Sequence, residues 1–509
     1  MSGTVVNNRQ IAKNTIFLYI RMIVIMIINL YTVRAFLSIL GETDYGLYNV
    51  IGGVVGMFSF FNGTLATSSQ RYFSQALVHD EKKAINRVFC LNLTIYMALI
   101  AIIVVVLETI GLWFVNSQMT IPLERISAAN IVYQISIITF AFQMFSISFN
   151  ALIISHEKMK AFAYIGIFEA ALKLFFVFVL LRIPFDKLVT YAVLMFLMNL
   201  LVTSLYFVYC RRNFEESRFK FYWNKNEAIE MLGFSGWHLL GTLSVVVRSQ
   251  GVNILINMFF NPAVNAARAI AFQIEGAINQ LSNNFFVAVK PQMYKSFSNG
   301  EIDALNGLVL RSTLICFFLV SILSIPFYFN AEFILSVWLK DVPLYAVAFT
   351  QLVLINGLVD AVAGSAICPA LATGRIKVFY LITGTLLLLT LPIAYIFLKM
   401  GFDPTSTMVV SIIISIVALI VRAKLLVSLI QLPIKKYFNL IIQIFVATMV
   451  IGVCTYYATI FSDNPVISLI ISTIVSTVLH CFVYLYFVCS KSERDVVINV
   501  IKRKIHYGK

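Results

Sequence analysis

Fourteen hydrophobic stretches dominate this 509-residue chain, each long enough to cross ~30 Å of hydrocarbon as a helix of about 20 residues. They run approximately over 14–40, 45–74, 88–115, 125–154, 161–182, 186–210, 229–260, 264–289, 308–330, 344–371, 377–399, 404–430, 437–461 and 465–489. Lipid admits only helices or closed barrels, because every backbone polar group there needs an internal partner. These runs are far too long for barrel strands. The sequence therefore predicts an all-α integral membrane protein of about 14 transmembrane helices. With 60% of residues hydrophobic, 12% charged and a mean hydropathy of +0.90, it does not read as a soluble enzyme.

The net charge of +15 raises the possibility of nucleic-acid binding, but its distribution excludes it. If alternate loops are assigned to one side, starting from the N-terminal tail, that side holds 27 lysines and arginines against five on the other. Among the 27 are Arg211, Arg212, Arg218, Lys220, Arg422 and Lys424. The positive-inside rule then predicts that both termini are cytoplasmic. The excess is topological, and no nucleic-acid partner is expected.

The longest polar interruption divides the chain. It predicts a six-helix bundle over 1–210, a cytoplasmic linker over 211–228, a second six-helix bundle over 229–430, and two further helices with a basic tail over 431–509. An offset of 220 residues aligns Gly56 with Gly276, Glu81 with Glu301, Ala84 with Ala304 and Asn86 with Asn306. Such a repeat relates the two bundles as parallel copies and places a substrate route at their interface. Every exoplasmic loop is short, which argues against a membrane glycosyl-polymerase.

Six cations remain inside the spans: Arg21, Arg34, Arg71, Lys173, Arg248 and Arg268. A cation in hydrocarbon is costly unless it meets a partner or a watery cavity. The second span presents Tyr45, Asn49, Gly52, Gly56, Ser59, Gly63, Thr67 and Arg71 at helical spacing, which fits either close helix packing or a cavity wall. Arg71 also lies near enough to the span's end to snorkel. In the eighth span Arg268, Glu275 and Asn279 share one face. A structural arginine–glutamate pair and a lumen-facing site both fit that spacing. Glu169 and Lys173, four apart, suit self-neutralisation. Glu108 and Asp360 are isolated intramembrane carboxylates, of which Asp360 is the better candidate for a proton or cation site.

The seven cysteines and five histidines show no metal-ligand spacing, and no phosphate-binding Gly-x-x-x-x-Gly-Lys-Ser/Thr motif occurs. No cofactor, metal or catalytic grouping is expected, and the chain does not read as an enzyme. Any energy for transport must come from an ion gradient, the membrane potential or the substrate's own gradient.

The opening Lys13-Asn14-Thr15, Tyr19-Ile20-Arg21-Met22, Leu40-Gly41 and Asp44-Tyr45-Gly46-Leu47-Tyr48-Asn49-Val50-Ile51-Gly52-Gly53-Val54 resembles oligosaccharide-lipid flippases. Ser68-Ser69-Gln70-Arg71-Tyr72-Phe73 and the stretch 164–173 continue the likeness. These are Wzx-type O-antigen or capsule translocases of the MATE-like multidrug/oligosaccharidyl-lipid/polysaccharide superfamily. The resemblance implies two six-helix bundles in a V around a cationic central cavity lined by spans 1, 2, 7 and 8.

On that basis Arg21, Arg71, Arg248, Arg268, Asn49 and Asn279 are the candidate residues for a substrate's phosphate and glycan. Glu275, Asp360, Glu169 and Lys173 are the candidates for coupling or gating. The function implied is flipping of undecaprenyl-diphosphate-linked oligosaccharide across the bacterial inner membrane for surface polysaccharide. Expected partners are the lipid-linked oligosaccharide, membrane lipids, a coupling proton or sodium ion, and the polysaccharide polymerase and glycosyltransferases of the same pathway. The alternative is an ion-coupled multidrug or small-molecule exporter of the same fold.

Overall fold

The computed structural model describes residues 8–79, 82–117, 121, 123–260, 262–339, 342–461, 463–488 and 494. Among these every regular element is a helix and no strand occurs. The α-helices are α1 (Asn8–Gly56), α2 (Phe60–Ala76), α3 (Lys82–Val106), α4 (Leu112–Ser117), α5 (Ile126–Ser155), α6 (Met159–Arg182) and α7 (Lys187–Asn213). They continue as α8 (Lys225–Phe259), α9 (Pro262–Ser298), α10 (Ile302–Phe329), α11 (Ala331–Leu339), α12 (Ala346–Thr373) and α13 (Ile376–Leu388). The last four are α14 (Thr390–Lys399), α15 (Ser406–Ile430), α16 (Ile434–Ile460) and α17 (Pro465–Val483).

Among the described residues twelve helices are long and apolar enough to cross a bilayer. The two predicted spans missing from that set, 45–74 and 264–289, fall on α1–α2 and on α9. Both are helical but carry runs of hydroxyls, amides and arginines that lower their hydropathy. The chain is a multi-pass membrane protein.

Local sequence explains the breaks. Gly41 has φ +74 and ψ 169, a conformation open to glycine, and it kinks α1 where the turn between the first two spans was expected. Asp186 caps α7 by accepting from the Val189 amide at 3.0 Å. Asn464 caps α17 ahead of Pro465 at the first helical position. Gly374 ends α12 in the left-handed conformation.

By internal contacts the chain forms two compact units, residues 1–242 with 287–300, and residues 243–286 with 301–509. Unit one has apolar cores packed from α1, α3, α5, α6 and α7. Within it a polar seam joins three helices: Ser69 Oγ lies 3.2 Å from Asn92 Oδ1, Tyr96 donates to the Leu65 carbonyl at 2.5 Å, and Asn92 Nδ2 donates to Ser148 Oγ at 2.9 Å. These bonds satisfy polar groups that would otherwise be costly in an apolar interior. Unit two is built around α12, which packs on α10 and α15.

The aligned pair Asn86 and Asn306 does the same work in each unit. Asn86 on α3 donates to the carbonyls of Glu216 and Arg218, just beyond α7, at 2.7 and 2.8 Å. Asn306 on α10 donates to those of Ile430 and Gln431, at the end of α15, at 3.3 and 3.4 Å.

Candidate functional site

In unit two, α8, α9, α12 and α15 enclose a cavity of about 220 Å³. Arg248, Arg268, Glu275, Asn279, Asn356 and Asp360 supply its polar wall. Four of the residues singled out in the sequence, Arg248, Arg268, Glu275 and Asn279, arrive from adjacent helices, and Asp360 is brought in from α12. Helical spacing put Arg268, Glu275 and Asn279 on one face of α9, and that face lines the cavity.

The two carboxylates and two guanidinium groups share this space without closing on each other. Among the described residues none of these arginines lies within 4 Å of a carboxylate oxygen. Arg268, only 4% exposed, donates from Nη1 to Asn253 Oδ1 and stacks over the Phe272 ring at 4.3 Å. Arg248 Nη1 donates to Ser415 Oγ at 3.2 Å. Asp360 accepts from Asn356 Nδ2 at 2.8 Å. Glu275 packs beside Gly357, where an added Cβ would stand 3.5 Å from its Oε1. The Arg268–Glu275 pair weighed from the sequence is thus not a direct ion pair. Neutral side chains hold Arg268, Arg248 and Asp360, so neither guanidinium is closed in an ion pair.

In unit one Arg21 lies flat against α6. Its guanidinium carbon is 4.4 Å from the Phe162 ring centroid, and a Cβ on Gly166 would fall 2.2 Å from its Nε. Glu169 is within electrostatic reach of both Arg21 and Lys173. Lys173 Nζ, however, donates to Asn29 Oδ1 on α1 at 3.0 Å, and no Glu169–Lys173 contact within 4 Å forms. The four-residue spacing expected to self-neutralise is bridged to another helix instead.

Arg71 is buried in unit one and stacked on two rings, Tyr72 and Phe234, each at 4.7 Å. Asn49 lies in α1, but its side chain falls outside the described residues, as does that of Arg34. The small-residue stripe of the second span is split, with Thr67 and Arg71 buried and its glycines open. Cβ atoms on Gly52, Gly56 and Gly63 would meet nothing within 4 Å, and Gly52 and Gly56 line a cavity of about 140 Å³ with Ser136, Thr139 and Gln143.

Arg422 corrects the charge census. Counted with the loop cations, it is 8% exposed on α15, within electrostatic reach of Asp360 and Arg248. Its position inside the span 404–430 was the available signal. Asn253 and Asn29, the amides that receive Arg268 and Lys173, were visible as polar residues in apolar helices, but their partners were not.

Outside the spans, Arg125 joins two carboxylates in unit one, Asp44 at 2.7 Å and Asp186. Burial pushes the Asp44 carboxyl above its usual range, with Arg125 opposing. Burial also acts upward on Asp186, but the Val189 amide and Arg125 outweigh it and hold that carboxyl below its usual range.

The sequence pattern of the polysaccharide biosynthesis protein family matches residues 11–297. No curated protein matches the chain by sequence. Among solved structures, the crystal structure of a MATE mutant superposes with a TM-score of 0.70 at 13% identity, covering 81% of this chain and 94% of the other. A multidrug resistance MATE family transporter of the MOP superfamily, in an outward-facing conformation, gives 0.68 at 15% identity over 80% and 93%. A MOP superfamily transporter from Pyrococcus furiosus, described as having a binding pocket of reverse polarity, gives 0.67 at 14% identity over 81% and 94%. At these identities the likeness is one of fold: the chain has the MATE fold.

Proposed function

Because the chain belongs to the polysaccharide biosynthesis protein family, we propose that it flips undecaprenyl-diphosphate-linked oligosaccharide repeat units across the bacterial inner membrane by alternating access. The observation that carries this reading is the unit-two cavity, where Arg248 and Arg268 are held by Ser415 and Asn253 rather than spent on ion pairs. A diphosphate entering an apolar layer loses its hydration, and planar guanidinium groups offset that loss with bidentate, charge-assisted contacts. Asn279 and Asn356 add amide donors and acceptors suited to sugar hydroxyls. Arg21 and Arg71 are proposed to serve the same substrate from unit one. Glu275 and Asp360 are proposed to couple or gate, with Glu169 and Lys173 in the corresponding role beside Arg21.

The test is transport by purified protein in liposomes loaded with a lipid-diphosphate-linked glycan. Arg248→Ala and Arg268→Ala are expected to abolish flipping while the protein still accumulates and melts normally, and the lysine variants to recover it only partly. Full flipping by both alanine variants would overturn the reading. The two carboxylates in the same cavity favour one second reading, export of a cationic small molecule. Under it, neutralising Glu275 and Asp360 abolishes transport of a cationic dye and the arginine variants do not.

A further inference from the structure

The segment joining α7 to α8 is fastened to unit one rather than free. Asn86 holds the carbonyls of Glu216 and Arg218, and the Lys220 amide donates to Cys90 Sγ at 3.2 Å. The His156 ring stacks on Phe214 with centroids 4.1 Å apart and meets Glu216 Oε1 at 2.6 Å. Pinned in this way, residues 218–224 run as irregular chain from the turn at Glu215–Ser217 to the start of α8. Phe219, Phe221 and Trp223 are 51%, 77% and 52% exposed, with Arg218 exposed before them and Lys220 exposed between the first two. Three exposed large aromatics need an apolar partner. Aromatics interleaved with cations are the composition of a membrane–water interface.

Phe219 also closes one wall of a separate cavity of about 330 Å³ in unit one. Its other walls are Leu93 and Met97 of α3, Phe145 and Phe149 of α5, and Phe207 of α7. Its one charged lining residue is the exposed Arg211 in the last turn of α7, with Arg212 next to it. An apolar slot with a cation at its rim, flanked by an aromatic–basic edge, is complementary to an amphiphile with an anionic head.

We propose that this slot binds an anionic phospholipid of the adjoining leaflet. One acyl chain lies among the phenylalanines, the headgroup phosphate rests on Arg211, and the 219–223 edge sits at headgroup depth. The site is independent of the transport cavity and involves none of its residues.

The test is native mass spectrometry of the full chain, released from nanodiscs holding equal phosphatidylglycerol and phosphatidylcholine of the same acyl chains. Wild-type protein is expected to retain phosphatidylglycerol preferentially. Arg211→Ser is expected to lower that retention about fivefold, the effect of one interfacial cation on an anionic lipid. Met97→Trp, which fills the slot from an exposed position, is expected to remove the adduct while the melting temperature holds. Equal retention of the two lipids would overturn the proposal. So would an unchanged adduct in Met97→Trp, or displacement of phosphatidylglycerol by undecaprenyl phosphate at this slot.

Discussion

Lys173 donates to Asn29 Oδ1 at 3.0 Å and bypasses Glu169, one turn earlier on its own helix. The carboxylate is left between two cations, Arg21 and Lys173, each of which is oriented by a different part of the α1–α6 interface. Three charges therefore stay close without collapsing into one ion pair. The unit-two cavity follows the same rule with Arg248, Arg268, Glu275 and Asp360.

Gly166→Ala tests how far Arg21 depends on bare backbone. A Cβ there would stand 2.2 Å from Arg21 Nε, so the guanidinium must leave its place over Phe162. Overpacking of this sort costs roughly 1–3 kcal/mol. A lower melting temperature, together with reduced transport per folded molecule, is expected. Unchanged values of both would show that Arg21 relocates freely.

Arg422 and Asp360 should behave as a coupled pair. Removing Arg422 withdraws one of the two guanidinium groups within electrostatic reach of the buried Asp360, Arg248 being the other. Arg422→Leu is therefore expected to lower the melting temperature, and Arg422→Leu combined with Asp360→Asn to recover part of the loss. Thermal melting of the two single variants and the double variant completes the cycle. Additive losses would break the coupling.

Acid should act through Asp186. A carboxyl held low in the folded protein contributes stability above its unfolded value near 3.8, and that contribution disappears as pH falls through the lower folded value. Asp44, pushed up by burial, has the opposite sign: its ionisation opposes folding as pH rises past 3.8. The melting temperature of Asp186→Asn is expected to fall less than that of wild type as pH drops below that value. Asp44→Asn is expected to keep the wild-type acid loss. A wild-type acid profile in Asp186→Asn would remove Asp186 from the account.

Glu275→Gln keeps the side chain's shape beside Gly357 and holds it permanently uncharged near Arg248. With one competing carboxylate gone, the arginines are expected to hold lipid-linked substrate more tightly and release it more slowly. Binding should therefore rise while turnover per folded protein falls. Normal turnover with a lowered melting temperature would make Glu275 a structural partner only.

Much of the architecture was legible in one dimension. Hydrocarbon imposes a minimum helix length, so the spans follow from counting apolar residues, and the polar α2 and α9 stand out because they break that pattern. Helical periodicity set Arg268, Glu275 and Asn279 on one face. The 220-residue offset paired Asn86 with Asn306, which make equivalent contacts. Spacing along one helix, however, does not say which helix lies opposite. The contacts Lys173–Asn29, Arg268–Asn253 and Arg248–Ser415, the burial of Arg422 within electrostatic reach of Asp360, and the seating of residues 214–220 on Asn86 and Cys90 all join distant stretches or adjacent helices. A buried charge takes whichever neutral or charged group packing brings within reach. Sequence thus determined that this protein keeps cations in a membrane, and only the tertiary structure decided what each of them touches.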